Sequence, residues 1–524
     1  MRTASGLVRT IDKFGAMSFG FHCICLGAVT AELFTWISLT YPGSDIFFYL
    51  LVGMIMCFFH SFAYSVIGAS FPRSGSNYVM LSRVIHPAVG FANNFLFIIN
   101  TAIVLGFICA FIPSYFLPGY FWSLGAALNS PMLMEWATIV STPVGIFAIG
   151  TIIGVIILIA SCLPTRTVMT FMKAGFIIGV GAFLVLVLVS ATGTTESFRA
   201  AWNNLLAPYG APYDEMIPRA LEGGMPTYGP LEGGLAGLTV AFLFYYGYFA
   251  PNFLAGEVKE APKTLLISPW AALLFTWALL NVLAALILRF IPKTWIDATV
   301  YVLYTLRQPD LPFAAWTIFW PTVLTPNPWV ISIIYLGLAF TVLPLLATYY
   351  MYASRCIFAW SFDRIVPEKL AYVTGRWRSP IVALILIFVM GEIGLYLSRF
   401  TLVLVLVNAS LAFVVVGAID VLAVWLFPFL KKDLFEKAPS YVRAKVGPVP
   451  LVTIAGLIAE GILLYAIYMT LLVPAIGGYL DVTNLSLIVG TWIAGALIYY
   501  VARWYRLKKE LIDISLAFKE IPPG

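Results

Sequence analysis

Two apolar stretches of the chain contain residues that interrupt helices. The first, residues 19–32, carries glycines at mid-length, among them Gly27, and the second, residues 233–252, places Gly247 and Pro251 among aromatic side chains. Glycine and proline weaken the helical hydrogen-bond ladder, and freed backbone groups persist in lipid only where they line a cavity. Two such interruptions at matching places in the two halves of a chain indicate a small-molecule site.

The residues around these interruptions are the candidate binding residues. They are Cys25, Leu26, Gly27, Ala28, Val29 and Thr30 in the first stretch, and Phe244, Tyr245, Tyr246, Gly247 and Tyr248 in the second. Half-helix ends present partial charges to a ligand, and the aromatic rings would shape a pocket. Close helix packing on a small residue is the alternative explanation for Gly27.

Ionisable groups inside apolar stretches are functional candidates, because placing a charge in lipid costs several kcal/mol. Glu32 is the strongest of them, since it lies just beyond the first interruption, where it could meet a substrate amine or titrate. The other polar candidates are Glu392, Asp420 and Glu460, His22 and His60, and the run Asn93, Asn94, Asn100 and Thr101. For these residues, helix-to-helix contacts are the alternative to a place in the binding site or pathway.

The composition of the chain indicates that these residues lie within a membrane protein. Hydrophobic residues make up 61% of the 524 residues and charged residues only 10%, and the mean hydropathy is +0.95. A soluble domain carries about 25% charged residues, so a soluble protein is excluded. We expect a single membrane domain over residues 1–524.

Apolar runs long enough to cross a bilayer, roughly 20 residues each, recur along the chain. They lie at residues 14–38, 46–70, 88–113, 144–162, 170–191, 235–255, 268–291, 327–354, 380–398, 402–430, 451–473 and 484–505. The sequence therefore predicts an all-α polytopic membrane protein with twelve spans. Five tryptophans near the long connections are predicted to form a belt at the membrane surface: Trp202, Trp295, Trp316, Trp320 and Trp329.

Lysine and arginine are distributed unevenly between the two sides of this arrangement. With the N-terminus inside, 24 of the 30 lie in the segments on that side. Positive residues accumulate in cytoplasmic segments. We therefore expect a multi-pass protein of the cell membrane with both termini in the cytoplasm.

Three short motifs carry a family resemblance. Residues 71–78 read Phe-Pro-Arg-Ser-Gly-Ser-Asn-Tyr, residues 256–262 read Gly-Glu-Val-Lys-Glu-Ala-Pro, and residues 354–367 contain Ser-Arg and then Asp-Arg-Ile-Val-Pro. They resemble, in order and position, the Pro-Arg-(Ser/Ala)-Gly-Gly-x-Tyr, Glu-Val-Lys-Asn-Pro and Ser-Arg…Arg-Asp-Gly-x-x-Pro motifs of the amino acid–polyamine–organocation superfamily.

This resemblance implies a leucine-transporter-like fold of two inverted five-helix repeats, residues 14–191 and 235–430, followed by two additional helices in 451–505. It also implies that substrate binds between the unwound middles of spans 1 and 6. The family's Gly-Ser-Gly in span 1 is Gly27-Ala28-Val29 here, and its Gly-Phe-Glu in span 6 is Gly247-Tyr248-Phe249, so one glycine and the acid are replaced.

The resemblance further implies a secondary active transporter of amino acids that works by alternating access. Lys173 matches a lysine that some proton-coupled members use where relatives bind sodium, so we expect a proton to be the coupling ion, with Glu32 as a second candidate. A lysine that reaches to the lipid headgroups is the other interpretation of Lys173.

Alternative functions are an amine or polyamine carrier and an amino acid exchanger, or, from other classes, a channel or a membrane enzyme. A channel does not require paired interruptions, and the sequence contains no set of catalytic residues. Because metal-ligand spacing and phosphate-binding loops are also missing from the sequence, we expect no metal, cofactor or nucleic acid partner. The expected partners are the amino acid, the coupling ion and the lipid bilayer.

Overall fold

The computed structural model describes residues 9–309, 311, 313, 315–374, 379–401, 409–472 and 482–519. Within these residues, twelve helical segments are long and apolar enough to cross a membrane, which confirms the predicted all-α polytopic fold. The predicted start of the tenth span, 402–408, and the end of the eleventh, 473, lie outside the described residues, as do the two ends of the predicted domain 1–524.

The twelve spans have the following bounds. Span 1 comprises span 1a, Lys13–Ile24, and span 1b, Leu26–Glu32; spans 2 to 5 are Ile46–Ser70, Pro87–Cys109, Pro143–Ser161 and Thr165–Thr192. Span 6 comprises Leu238–Tyr245 and the 3-10 helix Ala250–Glu257, span 7 is Ala261–Phe290, and span 8 comprises Pro328–Phe340 and Val342–Phe362. Spans 9 to 12 are Ile381–Phe400, Ala409–Leu430, Leu451–Leu472 and Val482–Glu510.

Shorter elements occupy the connections. The α-helices are Thr35–Thr40, Asn77–Val84, Leu117–Leu128, Pro131–Ser141, Thr195–Leu206, Met216–Glu222, Pro230–Ala236, Lys293–Val300, Phe319–Thr322 and Lys432–Glu436. The π-helices are Ile112–Phe116 and Tyr301–Leu306, the 3-10 helices are Ala207–Tyr209, Tyr213–Glu215, Glu368–Ala371 and Ile514–Lys519, and strands Lys445–Val446 and Val449–Pro450 pair antiparallel. A search for long apolar runs does not resolve such short elements, so the sequence left most of these segments unassigned and extended its first run, 14–38, into the helix Thr35–Thr40.

Local side-chain caps fix where several spans begin. Asp12, Asp45, Thr142 and Asn327 precede spans 1, 2, 4 and 8, and each side chain accepts a hydrogen bond from an amide in the first turn. These residue types satisfy amides that have no partner within the helix. The apolar runs therefore start at defined residues.

Spans 1 and 6 form the centre of the bundle. In each of them 89% of the most apolar 18-residue window is buried, against 17% in span 12. Span 1a packs against spans 5, 7 and 8, whereas span 10 packs against spans 2, 3 and 11. A central helix is covered by protein on all sides, and a peripheral one leaves much of its surface for lipid.

The bundle has two different faces. Twelve crossings bring both described chain ends, Arg9 and Lys519, to one face, which we call the terminal face. The long connections 193–237 and 291–327 lie on the opposite face, which we call the loop face.

The predicted tryptophan belt is wrong for three of its five members. Trp202, Trp295 and Trp320 are at most 1% exposed, and the indole N–H groups of Trp202 and Trp295 donate to backbone carbonyls at 2.8 and 2.9 Å. They form the core of the folded loop-face connections, because helices there bury them against one another. Trp316 is half-buried, and Trp329, 80% exposed, is available to the membrane surface.

Candidate functional site

The interruption of span 1 lies at Cys25. Its backbone has φ 62° and ψ 82°, the left-handed region, and this residue separates span 1a from span 1b. The sequence predicts this break at Gly27, and the structure places it two residues earlier, at Cys25. Gly27 lies inside span 1b, where a Cβ atom would collide with the Leu338 carbonyl. The absence of a side chain at Gly27 thus allows span 8 to approach, as the packing alternative proposed.

The interruption of span 6 lies at Gly247, as predicted. Its φ of +117° is unfavourable for residues that have a side chain, and the helix resumes only at Ala250. A Cβ atom at Gly247 would lie 2.6 Å from the Cys23 Sγ atom, and one at Gly20 would lie 2.7 Å from the Tyr248 carbonyl oxygen. The two interruptions therefore pack directly against each other.

A cavity of about 540 Å³ lies beside these interruptions, among spans 1, 3, 6, 8 and 10 in the half nearer the loop face. Its size falls in the range of about 300–1,000 Å³ for small-molecule pockets. It is lined by Cys23, Ile24, Cys25, Ala28, Val29, Glu32, Trp36, Asn100, Ile103, Val104, Phe107, Ile108, Phe111, Val240, Leu243, Phe244, Tyr246, Leu345, Tyr349, Ser410 and Phe413.

The cavity includes about half of the candidate residues. Those that line it are Cys25, Ala28, Val29, Glu32, Phe244 and Tyr246. The candidates placed behind its wall are Leu26, Gly27, Thr30, Tyr245, Gly247 and Tyr248. Two of these support the wall, since Tyr245 donates to the Leu50 carbonyl at 3.3 Å and the Tyr248 hydroxyl contacts His60 Nδ1 at 2.6 Å.

Sequence reasoning missed several lining residues. Trp36 could have been found, because it follows Glu32 by four residues on the same apolar stripe. Tyr349 and Ser410 gave no signal, because they come from spans 8 and 10 and reach the cavity only through tertiary packing.

The backbone groups freed at Cys25 have a partner in span 8. The Gly27 amide donates to Thr341 Oγ1 at 3.0 Å, and that hydroxyl donates to the Leu338 carbonyl at 2.6 Å. Thr341 itself lies between the two segments of span 8. The Gly27 amide, just after the interruption of span 1, is therefore hydrogen-bonded by a residue at the interruption of span 8.

Glu32 lies at the loop-face end of the cavity. It is partly buried, and the polar atoms of Trp36 and Tyr115 face its carboxylate. Among the described residues that line the cavity, Glu32 is the only carboxylic acid, and none is lysine, arginine or histidine.

Lys173 lies on the terminal face, apart from the cavity. Its Nζ donates to the Asp12 carboxylate at 2.7 Å, with the two side chains 32% and 52% exposed. Partial burial alone would raise the pKa of Asp12, but hydrogen bonds from Lys173 and the Gly15 amide outweigh it and lower that pKa. Because Asp12 caps span 1a, this ion pair joins span 5 to the half-helix that leads to the cavity.

A comparison with models of known protein families identifies the family of this chain. A family model described as amino acid permease matches residues 14–497 of the 524. The chain belongs to the amino acid permease family. A search of curated proteins found no match for the chain.

The remaining polar candidates of this permease mostly join helices. Asp420 accepts hydrogen bonds from Tyr64 at 2.6 Å, from Asn77 at 2.9 and 3.1 Å and from Asn93 at 2.9 Å. Asn94 donates to Asn77 Oδ1 at 2.9 Å. The interhelical alternative thus describes Asp420, Asn93 and Asn94.

Other candidates divide between the cavity and its surroundings. Asn100 lines the cavity, and the Thr101 hydroxyl contacts the Tyr352 hydroxyl at 3.4 Å. His22 Nε2 lies 2.7 Å from the Met172 carbonyl oxygen, which ties span 1a to span 5. Glu392 accepts from Thr151 at 2.7 Å. Glu460 is partly buried in span 11, and no described cavity residue belongs to that span.

The three sequence motifs of the permease meet at the terminal face. Glu257 pairs with Arg355 at 2.9 Å, with both side chains at most 1% exposed. Asp363 pairs with Arg83 at 3.1 Å and accepts from the Tyr78 hydroxyl at 2.6 Å. We call these five residues the terminal ion-pair layer. They connect the ends of spans 6 and 8 with the segment between spans 2 and 3.

Proposed function

We propose that this permease is a secondary active transporter of amino acids that works by alternating access. The observation that carries the proposal is the cavity beside two interrupted spans that contact each other. The family assignment favours transport over catalysis. The buried pairs of the terminal ion-pair layer join spans 6 and 8 to the segment between spans 2 and 3 on that face, so we expect release of substrate there to require these pairs to separate.

The proposed framework is one membrane domain over residues 1–524, with inverted repeats at 14–191 and 235–430 and two further helices in 451–505. The matching interruptions in the first span of each half support this arrangement. We propose that the protein lies in the plasma membrane with the terminal face in the cytoplasm, because 24 of its 30 lysines and arginines fall on that side.

We propose that the substrate lies against the two interruptions. The stretch from Cys25 to Thr30, which includes Leu26, Gly27, Ala28 and Val29, would bind the carboxylate through amides at the start of span 1b, since the amides of Cys25 and Val29 already donate to the carbonyls of Phe21 and Cys25 at 3.1 Å. Phe244 and Tyr246 would contact the side chain, with Tyr245, Gly247 and Tyr248 holding these rings in place. Because Thr341 occupies the Gly27 amide here, binding there would displace that hydroxyl.

For energy coupling we propose a proton rather than sodium. Lys173 is one candidate group, since its ion pair with Asp12 links span 5 to span 1a and would change on protonation of the carboxylate. Glu32 is the other, since it is the carboxylate in the cavity. The alternative transport modes are exchange of amino acids and transport of amines or polyamines.

Uptake into proteoliposomes tests this function. Purified protein should accumulate at least one labelled amino acid when the interior is alkaline, and an excess of other amino acids should compete. Vesicles with the Gly461→Ala variant, where a methyl group meets open space, should behave like the wild type. Absence of uptake and of competition for every common amino acid would overturn the proposal.

A sodium gradient in place of the pH gradient tests the coupling ion. We expect no accumulation with sodium alone. Sodium-driven accumulation that persists without a pH gradient would reject proton coupling and leave the substrate class intact.

A further inference from the structure

Four cavity residues form one stripe along span 1b that runs from the interruption of span 1 towards the loop face. Cys25, Ala28, Val29 and Glu32 line the cavity, and Trp36, in the next helix Thr35–Thr40, continues the lining. Steps of three and four residues keep side chains on one side of a helix. At 1.5 Å per residue, the seven steps from Cys25 to Glu32 separate the two by about 10 Å. The cavity thus has a backbone end and a carboxylate end.

The carboxylate end has the chemistry of a cation site. Trp36 and Tyr115 face Glu32, and Phe111, which lines the cavity, stacks on Tyr115 with ring centroids 4.8 Å apart. A carboxylate surrounded by aromatic rings attracts an ammonium or guanidinium group through both charge and cation–π attraction.

Within the described lining of this end, no cation pairs with Glu32. No described lining residue is lysine, arginine or histidine. Arg399 lies nearby with its guanidinium carbon 5.8 Å from the Phe107 ring centroid, but it is not among the lining residues. A carboxylate held away from bulk water is unfavourable unless it is paired, so a substrate cation would supply the pair.

The cavity wall is mostly apolar. Ile103, Val104, Phe107, Leu243 and Phe244 are among its lining residues, with Asn100 and Ser410 among the polar ones. Such a wall suits a chain of methylene groups, which gains free energy when it leaves water. A polar uncharged side chain would gain less there.

The length of the stripe decides which cation fits. The ammonium and carboxylate groups of an α-amino acid are attached to the same carbon, so a carboxylate at Cys25 leaves the α-ammonium several ångströms short of Glu32. A side chain with a terminal cation reaches the far end. We propose that Glu32 binds the side-chain cation of the substrate, so that basic amino acids such as lysine and arginine are the transported class. This inference rests on the proposed function and names its substrate.

Lysine and norleucine form a matched pair of probes, because norleucine has a similar chain without the ammonium. In proteoliposomes at neutral pH, lysine should compete with labelled lysine about tenfold to a hundredfold better than norleucine does, the worth of a charge-assisted hydrogen bond. Equal competition by the two would overturn the inference.

The Glu32→Gln variant tests the residue. In counterflow, which needs no gradient, it should raise the KM for lysine by about tenfold or more and the KM for norleucine by much less, and Glu32→Asp should recover part of the loss. Glu392→Gln is the control, because that carboxylate lies between spans 4 and 9, outside the cavity. Equal losses for lysine and norleucine in Glu32→Gln would assign the residue to coupling or folding and reject the cation site.

Thermal stabilisation by ligand separates the remaining outcomes. Lysine should raise the melting temperature of detergent-solubilised wild type more than that of Glu32→Gln, because a ligand stabilises the state that binds it. If neutral amino acids are transported and lysine is neither bound nor transported, this inference fails alone. If no amino acid is bound or transported, the proposed function fails with it.

Discussion

The carboxylates of the loop-face cavity and of the terminal ion-pair layer differ in their partners. Glu257 and Asp363, in the layer, each pair with an arginine, and both arginines are buried. Glu32, in the cavity, faces the polar atoms of Trp36 and Tyr115, and no described lining residue gives it a countercharge. A buried charge that the protein pairs internally holds elements together, whereas one left without a countercharge is available to a ligand.

This difference assigns distinct tasks to the two regions. The layer connects motif residues that are far apart in the chain, and under the proposed alternating access we expect its pairs to separate when the cavity opens to the terminal face. The cavity instead offers an acidic group and backbone groups to whatever enters. Experiments that remove one partner should therefore affect stability in the layer and substrate recognition in the cavity.

The largest expected effect is in the layer. Arg355→Met leaves Glu257 buried without its cation and should lower the free energy of unfolding by about 3–5 kcal/mol. Arg199→Met, at an ion pair whose side chains are more than half exposed, should cost less than about 1 kcal/mol. Chemical denaturation in detergent measures both. Equal losses in the two variants would remove the distinction between paired and surface charges.

A methyl group at the interruption of span 6 should have the next largest effect. Gly247→Ala imposes a strained φ and a contact with Cys23, which together should cost about 2–4 kcal/mol. Initial uptake rates should fall as well, because the cavity wall must shift. Gly461→Ala serves as the matched control, and retention of wild-type uptake by Gly247→Ala would show that this junction tolerates movement.

Asp420 offers an intermediate case, a buried carboxylate paired by neutral donors. Asp420→Asn turns one acceptor oxygen into a donor that faces the donors of Tyr64, Asn77 and Asn93, and should cost about 1–3 kcal/mol. Asp433→Asn, at an exposed position, should leave the melting temperature unchanged. A large loss of lysine selectivity with little loss of stability would instead show that Asp420 takes part in substrate recognition, as proposed for Glu32.

The smallest effect on stability is expected at Lys173. Lys173→Ala removes a half-exposed ion pair worth about 0–1 kcal/mol, but should abolish accumulation driven by a pH gradient if the pair couples transport. Counterflow of labelled substrate, which needs no gradient, is the control. Normal accumulation in the variant would exclude Lys173 from coupling.

The same ion pair predicts a pH dependence. The pKa of Asp12 is lowered in the folded state. Asp12 therefore stabilises the fold fully when the pH is above the ordinary aspartate pKa of about 3.9, and this stabilisation is lost as the pH falls through the lowered pKa. Melting temperatures of wild type and Lys173→Ala should therefore converge in acid. A constant difference between the two would contradict the lowered pKa.

Features that depend on local sequence were predictable. Twelve apolar runs gave twelve spans, and Gly247 broke its helix where a glycine stood among large residues. The spacing of Glu32 and Trp36, four residues apart, was also visible in the sequence. Each of these follows from the preferences of neighbouring residues.

Features that depend on distant contacts were not predictable. A left-handed cysteine at position 25 has no local cause, since neighbouring spans stabilise it. Lys173 found its partner 161 residues away at Asp12, and Trp202 was buried by connections that hydropathy leaves unassigned. In each case the deciding neighbour comes from another part of the chain.

The contact between Gly247 and Cys23 has a mechanical consequence. With no room for even one methyl group between them, a movement of span 6 at Gly247 would press on span 1a at Cys23, two residues before the interruption of that span. We therefore expect the two spans to move together rather than independently at this contact.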